Sequence, residues 1–334
     1  MATMAEKVAG ERMARMVLSM IAEPDDSVTG HVLARFGGVE TLRLVESDDA
    51  IPNLDRADAM LWREHLRANV TADLFERVAE PAQRGIGTLN PADDHWPTGL
   101  NDLGVLAPYV LWARGATSLL SSPLPVRVTI TGARSATAYG MEITRDLAAN
   151  LADDERVIVS GGGFGIDGAA HRGTLAQGGH TVAVLACGVD RAYPSAHRDL
   201  LEQIGDVGLL MSELPPGAVP ARQRFLARGR LLAAIAGATV VPEAGPRSGA
   251  LYVASRAHML GRAVAAVPGP VTSTVSQGPH ELIKQGHASL ATETSDITLL
   301  LDNGPTQGRS TGHTPLGPVF TRGRPNTDPP GHSL

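Results

Sequence analysis

Short apolar stretches rich in valine, isoleucine and alanine alternate with longer stretches of helical periodicity between residues 126 and 302. The apolar stretches predict strands at residues 126–131, 157–159, 181–187, 208–211, 238–241 and 263–267. The stretches that follow them predict helices at residues 137–151, 169–175, 195–204, 224–236, 248–260, 279–285 and 295–301. Because apolar strands that alternate with helices form a parallel sheet covered on both faces, the pattern predicts an α/β fold with a doubly wound, mostly parallel sheet.

The first 80 residues carry only helical signals, so we predict a small all-α domain at residues 1–80, of SAM-like or helix-hairpin-helix type. Apolar residues recur at three- and four-residue steps from Met13 to Ile21, as on one face of a helix. Residues 28–36 predict a second, short helix that the following glycine pair ends, and residues 58–78 predict one longer helix. These helices carry no basic cluster, which favours a role in packing or assembly over contact with DNA.

Two segments lack the periodicity of helices and strands. Residues 81–125 mix short apolar pieces with prolines and predict an ordered connector to the α/β domain at residues 126–302. Residues 303–334 include twelve glycines and prolines among 32 residues and few apolar side chains. Such a composition buries too little surface to fold, so we expect a disordered Gly/Pro-rich tail.

A glycine-rich turn follows the predicted strand at 157–159. It contains Gly161, Gly162, Gly163 and Gly165, and a small-residue helix begins directly after it. Glycines let an anion approach backbone N–H groups, and the start of a helix attracts negative charge, so this loop predicts a phosphate seat. A purely structural turn is the alternative. The loop also matches the Gly-x-Gly-x-x-Gly dinucleotide fingerprint, with Asp190 a candidate ribose ligand 27 residues beyond Gly163.

A second candidate is the basic stretch from residue 222 to residue 230. Arg222, Arg224, Arg228 and Arg230 fall within nine residues that include no acid, and Phe225 lies among them. Guanidinium groups bind phosphates in a forked geometry, and an aromatic ring can stack on an unpaired base. A solvated basic helix face with a buried phenylalanine is the alternative interpretation.

Two further turns repeat the combination of glycine, arginine and a helix start. They contain Gly132, Arg134 and Ser135 after the first strand, and Arg247, Ser248 and Gly249 after the fifth. Since ligands of doubly wound sheets bind beyond the carboxyl ends of the strands, these turns should converge with the glycine loop. Several arginines beside one loop suggest several phosphates in a row, which a polymer supplies more naturally than a nucleotide.

Asp167 and His171 lie four residues apart on the helix that leaves the glycine loop. They could form a catalytic pair, but we favour a structural interpretation in which Asp167 braces the loop and His171 is a hydrogen-bonded core residue. The sequence shows no metal-ligand cluster, and we expect neither a metal nor a cofactor.

Charge and composition restrict the classes of function. The net charge is −6, so any nucleic-acid site must be a local patch rather than a general positive field. The single cysteine, Cys187, lies in a predicted buried strand and fits a reducing cytoplasm. No apolar run approaches the length of a membrane span, and the N-terminal residues lack the apolar core of a signal peptide. We therefore expect a cytoplasmic protein with no membrane partner.

Taken together, these motifs resemble the DprA/Smf family of DNA-processing proteins. The segments that carry the resemblance are VTITGARSATAYG (128–140), SGGGFGIDGAAHRGTLAQGGHTVAVLACGVDRAYP (160–194), SELPPG (212–217), RFLARGR (224–230), EAGPRSGAL (243–251) and VPG (267–269). The resemblance implies an extended Rossmann-like sheet preceded by a SAM-like helical domain. It also implies a protein that is not an enzyme, binds single-stranded DNA, forms a homodimer through the Rossmann-like domain and loads the RecA recombinase during natural transformation.

By the same resemblance, four loops and one helix would line the DNA site. The residues are Gly132, Arg134, Ser135, Gly161, Gly162, Gly163, Gly165, Arg222, Phe225, Arg228, Arg230, Arg247, Ser248 and Gly249. The chain departs from the family pattern at Gly229, where an asparagine is usual, and at residues 252–254, where a threonine is usual.

Two enzyme classes are alternatives. The first is a nucleoside monophosphate phosphoribohydrolase of the LOG type, which shares this kind of sheet but carries a catalytic glutamate after its glycine loop; here Asp167 follows instead. The second is an NAD-dependent dehydrogenase, which the fingerprint and Asp190 suggest.

Overall fold

A nine-stranded sheet forms the centre of the protein in the computed structural model, which describes residues 3–303. The strands are β1 (Gly87–Leu89), β2 (Leu111–Gly115), β3 (Arg127–Ile130), β4 (Val157–Gly161), β5 (Thr181–Leu185), β6 (Leu209–Ser212), β7 (Ala238–Val241), β8 (Ala263–Ala266) and β9 (Ser289–Leu290). Their order is β1-β2-β6-β5-β4-β3-β7-β8-β9. The pairs β1–β2 and β2–β6 are antiparallel, and all other neighbours are parallel. The predicted mostly parallel sheet is confirmed.

Helices cover both faces of this sheet. The helices are α1 (Met4–Lys7), α2 (Glu11–Ile21), α3 (Ser27–Glu46), α4 (Arg56–Ala68), α5 (Leu74–Ala79), α6 (Ala138–Asp153), α7 (Ile166–Ala176), α8 (Arg198–Val207), α9 (Arg222–Ala234), α10 (Gly249–Met259), α11 (Gln277–Lys284) and α12 (Thr294–Asp302). Val157 and Val159 of β4 pack with α9 and α10, whereas Ile158 between them packs with α6 and α7. This alternation gives the sheet two apolar faces, as the continuous apolar strands predict.

The residues predicted as a connector contribute two strands to the sheet. β1 and β2 lie within 81–125, and β2 pairs with β6 through registers such as Trp112 with Ser212. The sequence pattern missed both strands because they are short and stand among prolines. β9 was also missed, since its two residues are exposed and show no apolar pattern. The predicted tail, apart from residue 303, lies outside the described residues.

The helical region, α1–α5, differs from the prediction at two places. The helix predicted to end before Gly37 continues to Glu46 as α3, which bends at Gly37 because that residue has φ 78°. The Glu11 carboxylate accepts a hydrogen bond from the Gly38 N–H at 2.7 Å, which restarts the helix after the bend. The single helix predicted at 58–78 is in fact two helices, α4 and α5. The chain turns at Asn69, whose side-chain amide donates to the Ile21 carbonyl at 2.8 Å.

The helical region packs directly on the β2 edge of the sheet. The Trp112 indole N–H donates to Ser19 Oγ at 3.2 Å, and the Met16 and Met20 side chains contact the apolar cluster around Trp112. Arg12 forms an ion pair with Asp93 in the segment between β1 and β2. Among the helices in residues 3–303, none is long and apolar enough to cross a membrane.

Candidate functional site

Loops at the carboxyl edge of β3, β4 and β5 meet the first turns of α9 and enclose a cavity. Its volume is about 110 Å³. The lining residues are Arg134, Gly162, Gly163, Phe164, Leu185, Ala186, Cys187, Tyr193, Pro194, Phe225 and Arg228. The strand order reverses between β3 and β7, and the cavity lies on the β4 and β5 side of that point, at the carboxyl edge where doubly wound sheets bind ligands.

The glycines of the loop after β4 create space for neighbouring groups. A Cβ atom at Gly161 would collide with the Arg228 guanidinium, and one at Gly165 would collide with the Ala133 carbonyl. Gly165 also has φ 67°, in the left-handed region. The Gly163 N–H is already engaged by Asp167. The Gly163 N–H is therefore not free, and the Arg228 guanidinium lies where a Cβ atom of residue 161 would be. A phosphate seat at this loop stays a prediction.

Asp167 and His171 hold the loop in place, which confirms their structural interpretation. Asp167 accepts hydrogen bonds from the Thr131 hydroxyl at 2.9 Å and from the Gly163 N–H at 3.3 Å. The buried His171 ring has its Nε2 atom 2.9 Å from the Gly161 carbonyl and its Nδ1 atom 2.7 Å from Thr181 Oγ1. Burial lowers the pKa of His171 to about 4, against 6.5 in water, so the ring is neutral at pH 7.

Arg228 carries the positive charge of the cavity. Its side chain is 13% exposed, and Nη1 lies 4.0 Å from the Asp167 carboxylate. Its Nη1 atom donates a long hydrogen bond, of 3.5 Å, to the Val184 carbonyl. The buried Nε atom has no hydrogen-bond partner among the described residues. Burial lowers the pKa of Arg228, and Asp167 opposes that effect. A desolvated guanidinium with unused donors favours an incoming anion or carbonyl oxygen.

Phe225 lies between two guanidinium groups and beside a second aromatic ring. The Arg134 guanidinium is 4.7 Å from the Phe225 ring centroid and that of Arg228 is 5.7 Å away. The Tyr193 ring centroid is 5.8 Å from that of Phe225. The predicted grouping of Arg134, Phe225 and Arg228 beside Gly162 is confirmed as geometry.

Two aromatic residues of this site were missed in the sequence. Phe164 and Tyr193 are 46% and 41% exposed, and both line the cavity. Phe164 could have been noticed, because a bulky aromatic inside a run of glycines has no apolar neighbours in sequence to pack against. Tyr193 offered no comparable signal, since its position depends on the loop after β5.

Arg230 does not belong to the cavity, which corrects its predicted role. Its side chain is 1% exposed and forms a forked ion pair with Glu213, with Nη1 2.7 Å from Oε2. Its Nε atom lies 3.3 Å from the Asp25 carboxylate of the helical region. Arg224 likewise points to the helical region and pairs with Glu23. The reason is helical geometry, because successive residues of α9 rotate by about 100° and the four arginines therefore cannot share one face.

The remaining predicted residues fall into two groups. Gly132 lies under the cavity wall, where a Cβ atom would collide with the Glu243 carbonyl and Ile166, whereas Ser135 and Arg222 are exposed near its rim loops. Arg247 and Gly249 are exposed after β7, and Ser248 caps α10 by accepting from the Ala250 N–H at 3.3 Å. These last three residues do not line the cavity, so only one of the two turns predicted to converge with the glycine loop reaches it, through Arg134.

The two departures from the family pattern are in contact with each other. A Cβ atom at Gly229 would lie 2.9 Å from Cδ1 of the Tyr252 ring. Tyr252 therefore occupies the space into which a side chain at residue 229 would extend. The two replacements fit together as one change in packing between α9 and α10.

Asp190 is not placed to bind a ribose. Both of its carboxylate oxygens accept from the Gly217 N–H, at 2.9 and 3.0 Å. The carboxylate thus ties the loop after β5 to the loop after β6. Within residues 3–303, no group of three or more histidine, cysteine or acidic side chains is arranged to hold a metal ion.

The chain is similar in sequence and in fold to known DNA-processing proteins. The chain is 44% identical over 290 residues to a putative DNA processing protein DprA from Mycobacterium tuberculosis, covering 84% of this chain and 72% of the relative. It is 38% identical over 205 residues to DprA from Streptococcus pneumoniae, covering 61% and 71%. The X-ray structure of that S. pneumoniae protein superposes with a TM-score of 0.72 at 29% identity, over 88% of this chain and 98% of the other.

A second solved structure concerns the single-stranded DNA binding mode of DprA from Helicobacter pylori. It superposes with a TM-score of 0.59 at 30% identity, over 66% of this chain and 97% of the other. The family model described as DNA recombination-mediator protein A matches residues 87–302, which include every strand of the sheet and the whole cavity. The chain therefore belongs to the DprA/Smf family of DNA-processing proteins.

Proposed function

We propose that this protein binds single-stranded DNA at the cavity between β3, β4, β5 and α9, and that it acts as a binding protein rather than an enzyme. The observation that carries the proposal is the state of Arg228. Its guanidinium is desolvated, has unused donors and lies beside the exposed face of an aromatic cluster. A nucleotide fits this arrangement, because its phosphate accepts hydrogen bonds from the arginine while its base stacks on the aromatic rings.

The shape of the site favours single strands over duplex. Phe225 and Tyr193 are reachable only by a base that has left its stack, since a paired base presents no free face. The positive groups are few and local on a chain of net charge −6, so the aromatic contacts must contribute much of the affinity. The H. pylori relative, whose structure describes a single-stranded DNA binding mode, supports this choice of ligand.

A gel-shift titration with single- and double-stranded oligonucleotides at two salt concentrations tests the proposal. We expect the single strand to bind more tightly and its affinity to fall as salt rises, because phosphate contacts release counterions. Replacing Arg134 and Arg228 by alanine should weaken binding to all sequences alike. Arg43→Ala is the matched control, since Arg43 is an exposed arginine paired with Glu40 in the helical region. Equal binding by the double variant and the parent would show that the DNA site lies elsewhere.

We further propose, from family membership, that the protein works in the cytoplasm as a homodimer through its Rossmann-like domain, protects incoming DNA and loads RecA onto it in natural transformation. Sedimentation at several protein concentrations tests the dimer. A strand-exchange assay on DNA coated with single-stranded DNA binding protein tests the loading of RecA. A monomer at all concentrations would contradict the proposed dimer. RecA activity that does not respond to the protein would contradict the proposed loading.

Neither enzyme alternative gains support from the geometry. The LOG-type hydrolase would need a free carboxylate after the glycine loop, and Asp167 is held by two hydrogen bonds there. The dehydrogenase would need Asp190 at a ribose, and that carboxylate braces a loop instead. Release of free base from nucleoside monophosphates, or thermal stabilisation by NAD(H) but not by an oligonucleotide, would restore one of them.

A further inference from the structure

Phe164 is an exposed aromatic ring held in one place. It lies between Gly163 and Gly165, is 46% exposed and lines the cavity together with Phe225 and Arg228 of α9. Its ring packs edge-to-face against His197, with centroids 4.8 Å apart and an angle of 68° between the planes. The Phe164 ring thus has one aromatic contact while nearly half of its surface remains in solvent, which costs hydrophobic free energy unless a ligand covers it.

His197, which contacts the Phe164 ring, is held by a hydrogen bond to the glycine loop. His197 is buried to 5% exposure, and its Nδ1 atom lies 3.1 Å from the Gly162 carbonyl, which requires Nδ1 to be the donor. The same glycine loop thus positions the phenyl ring and the imidazole that backs it. A ring whose position is already restricted by such a contact loses less conformational entropy when a base stacks on it.

Positive charge lies next to this pair. The Arg172 guanidinium donates to the Gly168 carbonyl at 3.2 Å. A Cβ atom at Gly168 would lie 2.8 Å from both Arg172 Nη1 and His197 Cε1, which places the guanidinium beside the imidazole. Arg172 and Arg198 are both exposed, and neither has a carboxylate within 4.0 Å among residues 3–303.

We propose that Phe164, backed by His197, is a second base-stacking position, and that Arg172 contacts the phosphate next to it. The inference rests on the proposed function and extends the site by one nucleotide. One base would stack at Phe225 and Tyr193, and the neighbouring base would stack at Phe164 across the same cavity. Arg134 and Arg228 would meet the phosphate between the two bases, and the strand would leave along α7.

An abasic scan tests this arrangement. A short oligothymidylate carries one abasic position, which is moved along the strand, and each oligonucleotide is titrated against the full-length protein. For the parent we expect two adjacent positions at which loss of the base weakens binding. Phe164→Ala should weaken binding of the intact strand about 5- to 150-fold, the range for one stacked base, and should remove the sensitivity at one of the two positions only.

The phosphate contact has its own measurement. Arg172→Ala should reduce the slope of log K against log salt by about 0.7, the value for one phosphate of a single strand. It should leave both sensitive positions of the abasic scan in place. Tyr139→Ala is the matched control for Phe164→Ala: Tyr139 is 43% exposed at the same edge of the sheet, but its hydroxyl donates to the Pro268 carbonyl and it does not line the cavity.

The outcomes separate this inference from the function on which it rests. If the parent binds no oligonucleotide, the proposed function fails. If the parent binds and Phe164→Ala behaves like Tyr139→Ala, with both variants folded by thermal unfolding, the second stacking position is wrong. A Phe164→Ala variant that binds DNA normally but no longer self-associates would overturn the inference in favour of a protein contact.

Discussion

His171 links the glycine loop to the neighbouring strand through a ring that must stay neutral. Burial lowers its pKa from 6.5 to about 4, so the unfolded chain takes up a proton before the folded protein does. The stability that this histidine contributes is therefore complete above pH 6.5 and is lost as the pH falls towards 4. We expect the free energy of unfolding to decrease in this window by up to about 1.4 kcal/mol per pH unit.

Urea unfolding of the parent and of His171→Gln at pH 7, 6, 5 and 4 measures this effect. The variant should be less stable at pH 7 but should show a flatter decline below pH 6.5. The exposed His180, replaced in the same way, serves as the control. Parallel declines in the parent and His171→Gln would mean that other groups dominate the acid response; His197, whose pKa is also lowered by burial, is the first to test.

The Tyr252 ring, and not an unusual backbone conformation, excludes a side chain at residue 229. Because a Cβ atom there would press on the Tyr252 ring, Gly229→Asn should lower stability by about 1–3 kcal/mol despite the poor helix propensity of glycine. Adding Tyr252→Thr should recover much of that loss. Thermal unfolding of the two single variants and the double variant measures the coupling, and additive effects would show that the two positions are independent.

At the scale of elements, α9 has two arginine faces with different tasks. Arg230→Met leaves the buried Glu213 carboxylate unpaired and should cost about 3–5 kcal/mol of stability, of which the double replacement with Glu213→Leu should recover a large part. Arg228→Ala should reduce single-stranded DNA binding with a smaller change in stability, since its guanidinium makes only one long hydrogen bond. Unfolding and binding measurements on both variants check the division. If Arg230→Met weakened DNA binding while Arg228→Ala mainly lowered stability, Arg230 would be the binding residue and Arg228 the structural one.

The same helix shows which parts of the site can be derived from sequence. The pattern of residues identified α9, its arginines and the loops that meet it, because strand ends and helix starts are local signals. It could not separate Arg228 from Arg230, since the carboxylates that bury Arg230 come from Asp25 and Glu213, distant in the chain. Phe164 stands out in the sequence as an aromatic residue among glycines, but its contact with His197 depends on the fold.

At the scale of the whole molecule, the apolar runs of the sequence predicted the parallel strands of the α/β domain. They did not predict the antiparallel strands β1 and β2. β1 and β2 are too short to produce a periodic signal, and they become strands only because β6 and the helical region provide partners. The helical character of residues 4–79 was predicted from apolar periodicity, whereas the turns at Gly37 and Asn69 depend on tertiary contacts.

A glutamate of the helical region pairs with an arginine of α9 that precedes the cavity residue Phe225 in the sequence. Glu23 pairs with Arg224, which precedes Phe225 and lies one turn before Arg228. Glu23→Gln should free Arg224 for a phosphate, so single-stranded DNA should bind more tightly and with a salt slope steeper by about 0.7. Glu40→Gln removes the same charge from an exposed pair with Arg43 and is the control. Unchanged binding by Glu23→Gln would place the strand away from the start of α9.

The pairing of β2 with β6 determines where the chain can be cut to produce a stable fragment. A fragment that starts at residue 126, where the parallel strands begin, would leave β6 with a row of unpaired backbone groups and the apolar surface that Trp112 covers. Such an open edge invites pairing with other chains, so we expect that fragment to aggregate. A cut ahead of residue 87 keeps β1 and β2 paired with β6 and coincides with the start of the family match. It removes the helical contacts to Trp112 and Arg230, but it leaves β6 paired and is therefore the better of the two boundaries.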